Sequence, residues 1–221
     1  MRTDVNDEEP FSILCFGEDE IWGRAPGVLH RRLPARIRWP RVAQAELGSA
    51  YHLVEDGLPG RTTVWDDPLA GDVNGFRHLR TSLAAHAPID LVILMVGSND
   101  LLNWRGLNIV TIAKGVEKLA RLVLAHEAWP GAGSPRLLLV APPILDASFA
   151  NREERNGDDS EPTNLPELLQ ELAAELGCSF LDSNRIAGVS SEDGRHLDAA
   201  DHRAVGRLIA RQITDLVGPD R

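Results

Sequence analysis

The chain has 221 residues, 43% of them apolar and 25% charged, which excludes a disordered or fibrous protein and is enough for one substantial core. A formal net charge of -10 excludes nucleic acid as an expected partner, because nonspecific phosphate-backbone binding needs a basic surface. Cys15 and Cys178 sit in separate apolar segments without metal spacing, so buried reduced thiols are expected, with no metal and no cofactor.

Residues 1–10 are acidic and polar and read as a flexible N-terminus without a signal-peptide core. The longest apolar run, 91–96, is too short to span a membrane, so a cytoplasmic protein with no membrane partner is expected. Residues 1–221 are expected to form one domain, and a homo-oligomer is allowed.

The first apolar run, 11–16, reads as a strand, and it is followed by Gly17-Glu18-Asp19-Glu20-Ile21-Trp22-Gly23. Arg31, Arg32, Arg36, Arg38 and Arg41 then form a basic stretch, read as a solvated loop and helix start because no aromatic interleaving accompanies it. A helix is expected over 40–47 from Val42, Ala43 and Leu47, and a second strand over 50–54. The loop that follows, from Glu55 to Thr63, carries Gly57, Pro59 and Gly60.

Helical spacing of Phe76, Leu79 and Leu83 behind a capping Asn74 marks residues 74–86, and the third strand falls at 89–96. Gly97-Ser98-Asn99-Asp100 comes next. The longest helix, 108–126, repeats Ile109, Ile112, Ala113, Val116, Leu119, Ala120 and Val123 on one stripe, which reads as core. A fourth strand is expected over 136–141. The acidic, polar stretch 151–163 reads as a surface insertion.

Pro166 suits the first turn of a helix that ends before Gly177, and a fifth strand covers 178–181. After it come Asp193-Gly194-Arg195-His196 and a terminal helix marked by Val205, Leu208, Ile209, Ile213 and Leu216. Strands and helices alternate throughout. That order predicts an α/β fold with a five-stranded, mostly parallel sheet covered on both faces, its site at the carboxyl ends of the strands.

Four loops at that end carry chemistry. Glu18, Asp19 and Glu20 crowd the first, although acids also serve as caps at a helix N-terminus. Gly60 offers a backbone N–H, and Asn99 can donate its amide to an oxyanion. Asp193 is spaced to reach His196, where a carboxylate fixes the imidazole tautomer and supports the imidazolium. Trp22, Trp65 and Trp104 are candidates for an apolar rim or for ordinary core. His30, His52, His78, His86, His126 and His202 receive no role.

Taken together, these loops resemble the blocks of the SGNH (GDSL-type) hydrolase family, from about Phe11 to the terminal helix. Ile13-Leu14-Cys15-Phe16-Gly17 with Ile21-Trp22-Gly23 is similar to the first block of its aryl-esterase and acyltransferase branch, normally Gly-Asp-Ser-Leu-Thr-Trp-Gly. Asp19 falls on the serine, with Glu18, Glu20 and Ile21 replacing its neighbours. The resemblance implies a flavodoxin-like three-layer α/β/α sandwich. It also implies oxyanion donors at Gly60 and Asn99, and a base pair at Asp193 and His196.

The preferred expectation is a hydrolase of a small organic molecule in which Asp19 attacks a saturated carbon, opening an epoxide-like electrophile through an alkyl ester. His196 would then activate water, and Glu18 or Glu20 would supply a proton. The alternatives are a carboxylic-ester hydrolase or acyltransferase, in which Asp19 positions water, and a catalytically inactive small-molecule binding protein.

Overall fold

The computed structural model describes residues 9–101, 107–146 and 165–218; the N-terminal stretch to residue 8, Trp104 and the polar stretch 151–163 lie outside them. Among the described residues five strands form, namely β1 (Phe11–Gly17), β2 (Tyr51–Gly57), β3 (Leu91–Met95), β4 (Arg136–Ala141) and β5 (Ser179–Asp182). The helices are α1 (Asp19–Trp22), α2 (Trp39–Leu47), α3 (Gly75–Ala85), α4 (Ser98–Leu101), α5 (Ile109–Leu124), α6 (Leu165–Leu176) and α7 (Ala199–Val217).

Every pairing is parallel, and the strand order is β2-β1-β3-β4-β5, the flavodoxin-like doubly wound arrangement. Apolar residues run continuously along β1, β3 and β4 because each strand feeds two cores. Leu14, Phe16, Val92, Leu94, Leu137 and Leu139 pack under α3, α5 and α6. Ile13, Cys15, Ile93, Met95, Leu138 and Val140 face the opposite way, against Trp39 of α2 and Val205, Ile209 and Ile213 of α7. Each such fully buried aliphatic side chain contributes roughly 1.5–3 kcal/mol.

Side-chain caps fix the helix starts. Asn74 Oδ1 accepts from Phe76 N at 3.0 Å, and Asp198 Oδ1 accepts from Ala200 N at 2.7 Å and Asp201 N at 2.9 Å. Asn108 Oδ1 takes Thr111 N at the head of α5. Cys15 and Cys178 are both free and lie on opposite faces of the sheet; Cys15 is buried in one core, whereas Cys178, against the expectation, is only partly buried at the edge of the other.

The second strand departs from expectation. It runs on through Glu55, Asp56 and Gly57, which pair in register with Cys15, Phe16 and Gly17. Acidic residues persist in the sheet because arginines neutralise them. Arg38 Nη2 reaches Glu55 Oε2 at 2.8 Å, with Arg32 and Arg41 each at 3.1 Å, so part of the arginine-rich stretch is an ion-pair cluster and not a wholly solvated loop.

Order 2-1-3 makes the junction of β1 and β3 the switch point where adjacent loops diverge and a ligand crevice opens. Gly17 brings the two strands together there. A Cβ on Gly17 would lie 1.9 Å from Met95 O, so only glycine lets the ends of β1 and β3 approach this closely. Glu18 and Asp19 consequently meet residues 97–99. Among the described residues, no helix is long and apolar enough to cross a membrane.

Candidate active site

Asp19 opens α1, the single turn directly after β1, and only 4% of its surface is exposed. Its Oδ2 accepts from Gly60 N at 3.0 Å and from Asn99 Nδ2 at 2.8 Å. Gly60 adopts φ +76°, a left-handed conformation in which a side chain would be strained, and it is this conformation that turns the N–H toward Asp19. Asn99 lies on the one-turn helix α4 after β3. Two donors from two loops thus converge on one carboxylate oxygen.

The other oxygen, Oδ1, pairs with Arg24 Nη1 at 3.0 Å, and His196 Nε2 stands 3.7 Å away. His196 is oriented from behind, its Nδ1 lying 2.7 Å from Asp193 Oδ2. An ionised carboxylate only accepts, so Nδ1 carries the proton and Nε2 is the atom presented to Asp19. Asp193 is itself fixed by Gly27 N at 2.8 Å, Arg195 N at 3.0 Å and His196 N at 3.1 Å. Burial opposes its ionisation, but His196 and these amides outweigh that and hold its pKa below the usual value.

Asp19 is likewise held ionised. Burial alone would raise its pKa, yet the hydrogen bonds of His196, Asn99 and Gly60 overcome it and bring the group well below the ordinary carboxylate range. Such a carboxylate is a weak base. It also has no proton to surrender, so His196 cannot activate it as an imidazole activates a hydroxyl.

The flanking glutamates are buried, not rim-facing. Glu18 is 0% exposed and makes no cap bond to α1, despite standing at the N-cap position. Its carboxylate instead accepts from Ser98 Oγ at 2.6 Å, Ser98 N at 3.0 Å, Asn99 N at 3.2 Å and Asn99 Nδ2 at 3.0 Å. Glu20 is 2% exposed and takes Leu197 N at 3.2 and 3.3 Å. Neither carboxyl group is placed to donate a proton to a ligand in an open cleft. Trp22 is half-buried with Arg32 lying over its ring, 5.3 Å from the centroid.

Burial, partly opposed by the Ser98 bond and reinforced by the Asp19 charge, raises the Glu18 pKa from 4.5 to about 7. A raised acid contributes stability that is complete below its unfolded value near 4.5 and lost as pH rises through about 7. Wild type should therefore lose roughly 2–3 kcal/mol relative to Glu18→Gln between pH 5 and pH 8. Denaturant unfolding of both proteins at the two pH values measures this. Parallel stability profiles would remove the raised carboxyl group.

Among the described residues, no cluster of three or more His, Cys, Asp or Glu side chains could hold a metal ion. Two residues given no role by sequence reasoning belong to the constellation. Arg24 is brought back onto Asp19 by its own backbone, whose N–H donates to Asp19 O at 3.0 Å, and by a bridge to Arg32. His202, 0% exposed, places Nε2 3.5 Å from Glu20 Oε2.

A parallel 2-1-3-4-5 sheet with a carboxylate-oriented imidazole facing two amide donors at the β1–β3 switch defines an SGNH-type α/β protein. The chain belongs to the GDSL-like lipase/acylhydrolase family, which matches residues 21–205 and so spans Gly60, Asn99, Asp193 and His196 but begins just after Asp19. A carbohydrate acetylesterase family member from Sinorhizobium meliloti is 39% identical, with a TM-score of 0.86 over 94% of this chain and 99% of that one. The native M. smegmatis aryl esterase is 32% identical, with a TM-score of 0.85 over 93% and 99%. A putative arylesterase from Agrobacterium tumefaciens is 38% identical, with a TM-score of 0.84 over 92% and 98%. No curated protein sequence matches the chain.

Proposed function

We propose that the protein hydrolyses small carboxylic esters, with water activated by His196 as the attacking group in place of a side-chain hydroxyl. The observation that carries this is the alignment of Asp193, His196 and Asp19, with Nε2 presented toward the tip of β1 at 3.7 Å from Asp19 Oδ1. A water bonded to both groups would be oriented by Asp19 and deprotonated by His196. Its oxygen attacks the acyl carbon, and the imidazolium returns the proton to the departing alkoxide or phenolate. Ester and water become acid and alcohol, with His196 restored.

The esterase relatives favour this class over other hydrolyses. The arrangement also sets its handicap, since Asp19 Oδ2 occupies the two donors that an ester's oxyanion requires. The ester carbonyl has to displace that oxygen from Gly60 N–H and the Asn99 amide. Phenyl esters, whose leaving groups need little help, should therefore be the fastest substrates, ahead of acetylated sugars.

One observation favours a second reading. Donors aimed at Asp19's own carboxyl group would stabilise a tetrahedral centre formed on Asp19, as in hydrolysis of an alkyl ester made by attack on an epoxide-like carbon. The pairing of Oδ1 with Arg24 weighs against it, because it ties up the attacking atom. Oxygen-18 water separates the readings. In a single turnover of phenyl acetate with enzyme in excess, water attack puts label into the acetate and leaves Asp19 unlabelled. In a single turnover of an epoxide, a nucleophilic Asp19 yields unlabelled diol and a labelled protein. Absence of turnover with both substrates would leave the binding-protein reading.

A further inference from the structure

Behind Asp19, three parts of the chain meet at one buried carboxyl group, and a fourth joins through His202. Glu20, on α1, accepts Leu197 N–H with both oxygens, and Leu197 directly follows His196. Its Oε2 also lies 3.5 Å from His202 Nε2 on α7. His202 Nδ1 accepts from Trp39 N, the first residue of α2, at 3.4 Å. With Nδ1 accepting, the neutral ring carries its proton on Nε2, which is buried near Glu20 Oε2 but makes no hydrogen bond among the described residues. Glu20, Trp39, Leu197 and His202 are all at most 2% exposed.

An isolated carboxyl group in such a place is costly unless its bonds compensate. We propose that Glu20 is a positioning residue for His196: its bond to the Leu197 amide, with His202 packed behind it, is a clamp that anchors the loop from Asp193 to Leu197 against α1 and keeps Nε2 of His196 facing Asp19. Among the described residues Leu197 N–H donates to Glu20 alone, which ties the residue after His196 to α1, while the bridge of Leu197 to Val189 and the bond from Ser190 N to His196 O hold the loop from its other side.

The surrounding charges suit a clamp that does not itself ionise easily. Burial first, and then the charges of Asp19, Glu18 and Asp193, raise the Glu20 pKa well above the ordinary value. Burial holds His202 down to about 4, with Asp198 opposing and Arg38 and His196 reinforcing, so its ring is neutral. A neutral pair beside Asp19 adds little repulsion to that ionised carboxylate.

Glu20→Leu removes the clamp, and Glu20→Gln keeps an acceptor oxygen for Leu197 N–H. In the resting protein the low-field Nδ1–H proton resonance of His196, assigned by its loss in His196→Gln, should broaden or vanish in Glu20→Leu and persist in Glu20→Gln. In phenyl acetate hydrolysis Glu20→Leu should lower kcat about tenfold or more with KM nearly unchanged, and Glu20→Gln should restore most of it. The kinetic readout rests on the ester hydrolysis proposed above, whereas the resonance does not, so an inactive wild type leaves the proposal decided by the resonance. If Glu20→Leu fails to fold, His202→Phe removes the rear of the clamp and should broaden the same signal. A sharp, wild-type His196 resonance in folded Glu20→Leu or His202→Phe overturns the proposal. So does a Glu20→Gln protein as impaired as Glu20→Leu.

Discussion

Asp19→Ser should raise phenyl acetate hydrolysis by roughly a hundredfold to a thousandfold over wild type. Serine is shorter than aspartate by the carboxyl oxygens that now fill the site, so the change empties the space between Gly60 N–H and the Asn99 amide. Those donors then receive the ester carbonyl instead of Asp19 Oδ2. The new hydroxyl has a proton that His196 Nε2 can accept, with Asp193 in place at 2.7 Å to support the imidazolium. Arg24 loses its carboxylate partner and becomes free to meet a substrate anion. Repulsion of the developing alkoxide by the neighbouring acids is modest, because burial raises Glu18 to about 7 and Glu20 also well above its ordinary value. Initial rates of both purified proteins measure the gain. A folded Asp19→Ser protein no faster than wild type would show that Gly60 and Asn99 do not work as an oxyanion hole.

Legibility in the sequence followed how local each interaction is. β1, β3 and β4 are readable because burial on both faces demands uninterrupted apolar runs. The end of β2 is not, since Glu55 and Asp56 look like loop until three arginines from elsewhere are seen to neutralise Glu55 and Arg61 to pair with Asp56. In the site, Asp193 and His196 are three residues apart and announce their bond by spacing. Gly60 and Asn99 needed the family resemblance, because each is an ordinary turn residue when read alone. Arg24 and His202 gave no signal at all: one returns to Asp19 through a loop, and the other is a lone polar residue on the buried, otherwise apolar stripe of α7. The three acids after β1 were readable as a cluster but not as three environments. Only their partners show that Asp19 is held ionised while Glu18 and Glu20 are pushed toward neutrality.

His196→Ala should lower kcat by about a thousandfold, equivalent to roughly 4 kcal/mol of transition-state stabilisation, while leaving the fold intact. His196 is 8% exposed and its side-chain partners among the described residues are Asp193 and Asp19, not core residues, so truncation removes a base without opening either apolar core. Asp193→Ala should follow it closely in kcat, because an imidazole without that carboxylate loses both its tautomer and its orientation. The same variant also discriminates between attack by water and attack by Asp19. If water attacks, His196→Ala stops the reaction before any bond to the protein forms, and the intact mass of the enzyme stays unchanged after long exposure to phenyl acetate or an epoxide. If Asp19 attacks carbon, alkylation precedes the step that needs the base, and His196→Ala accumulates a substrate-sized adduct on the peptide containing Asp19. Mass spectrometry of the digested variant reads the difference directly. A fully active, folded His196→Ala protein would remove His196 from the reaction and with it both mechanisms.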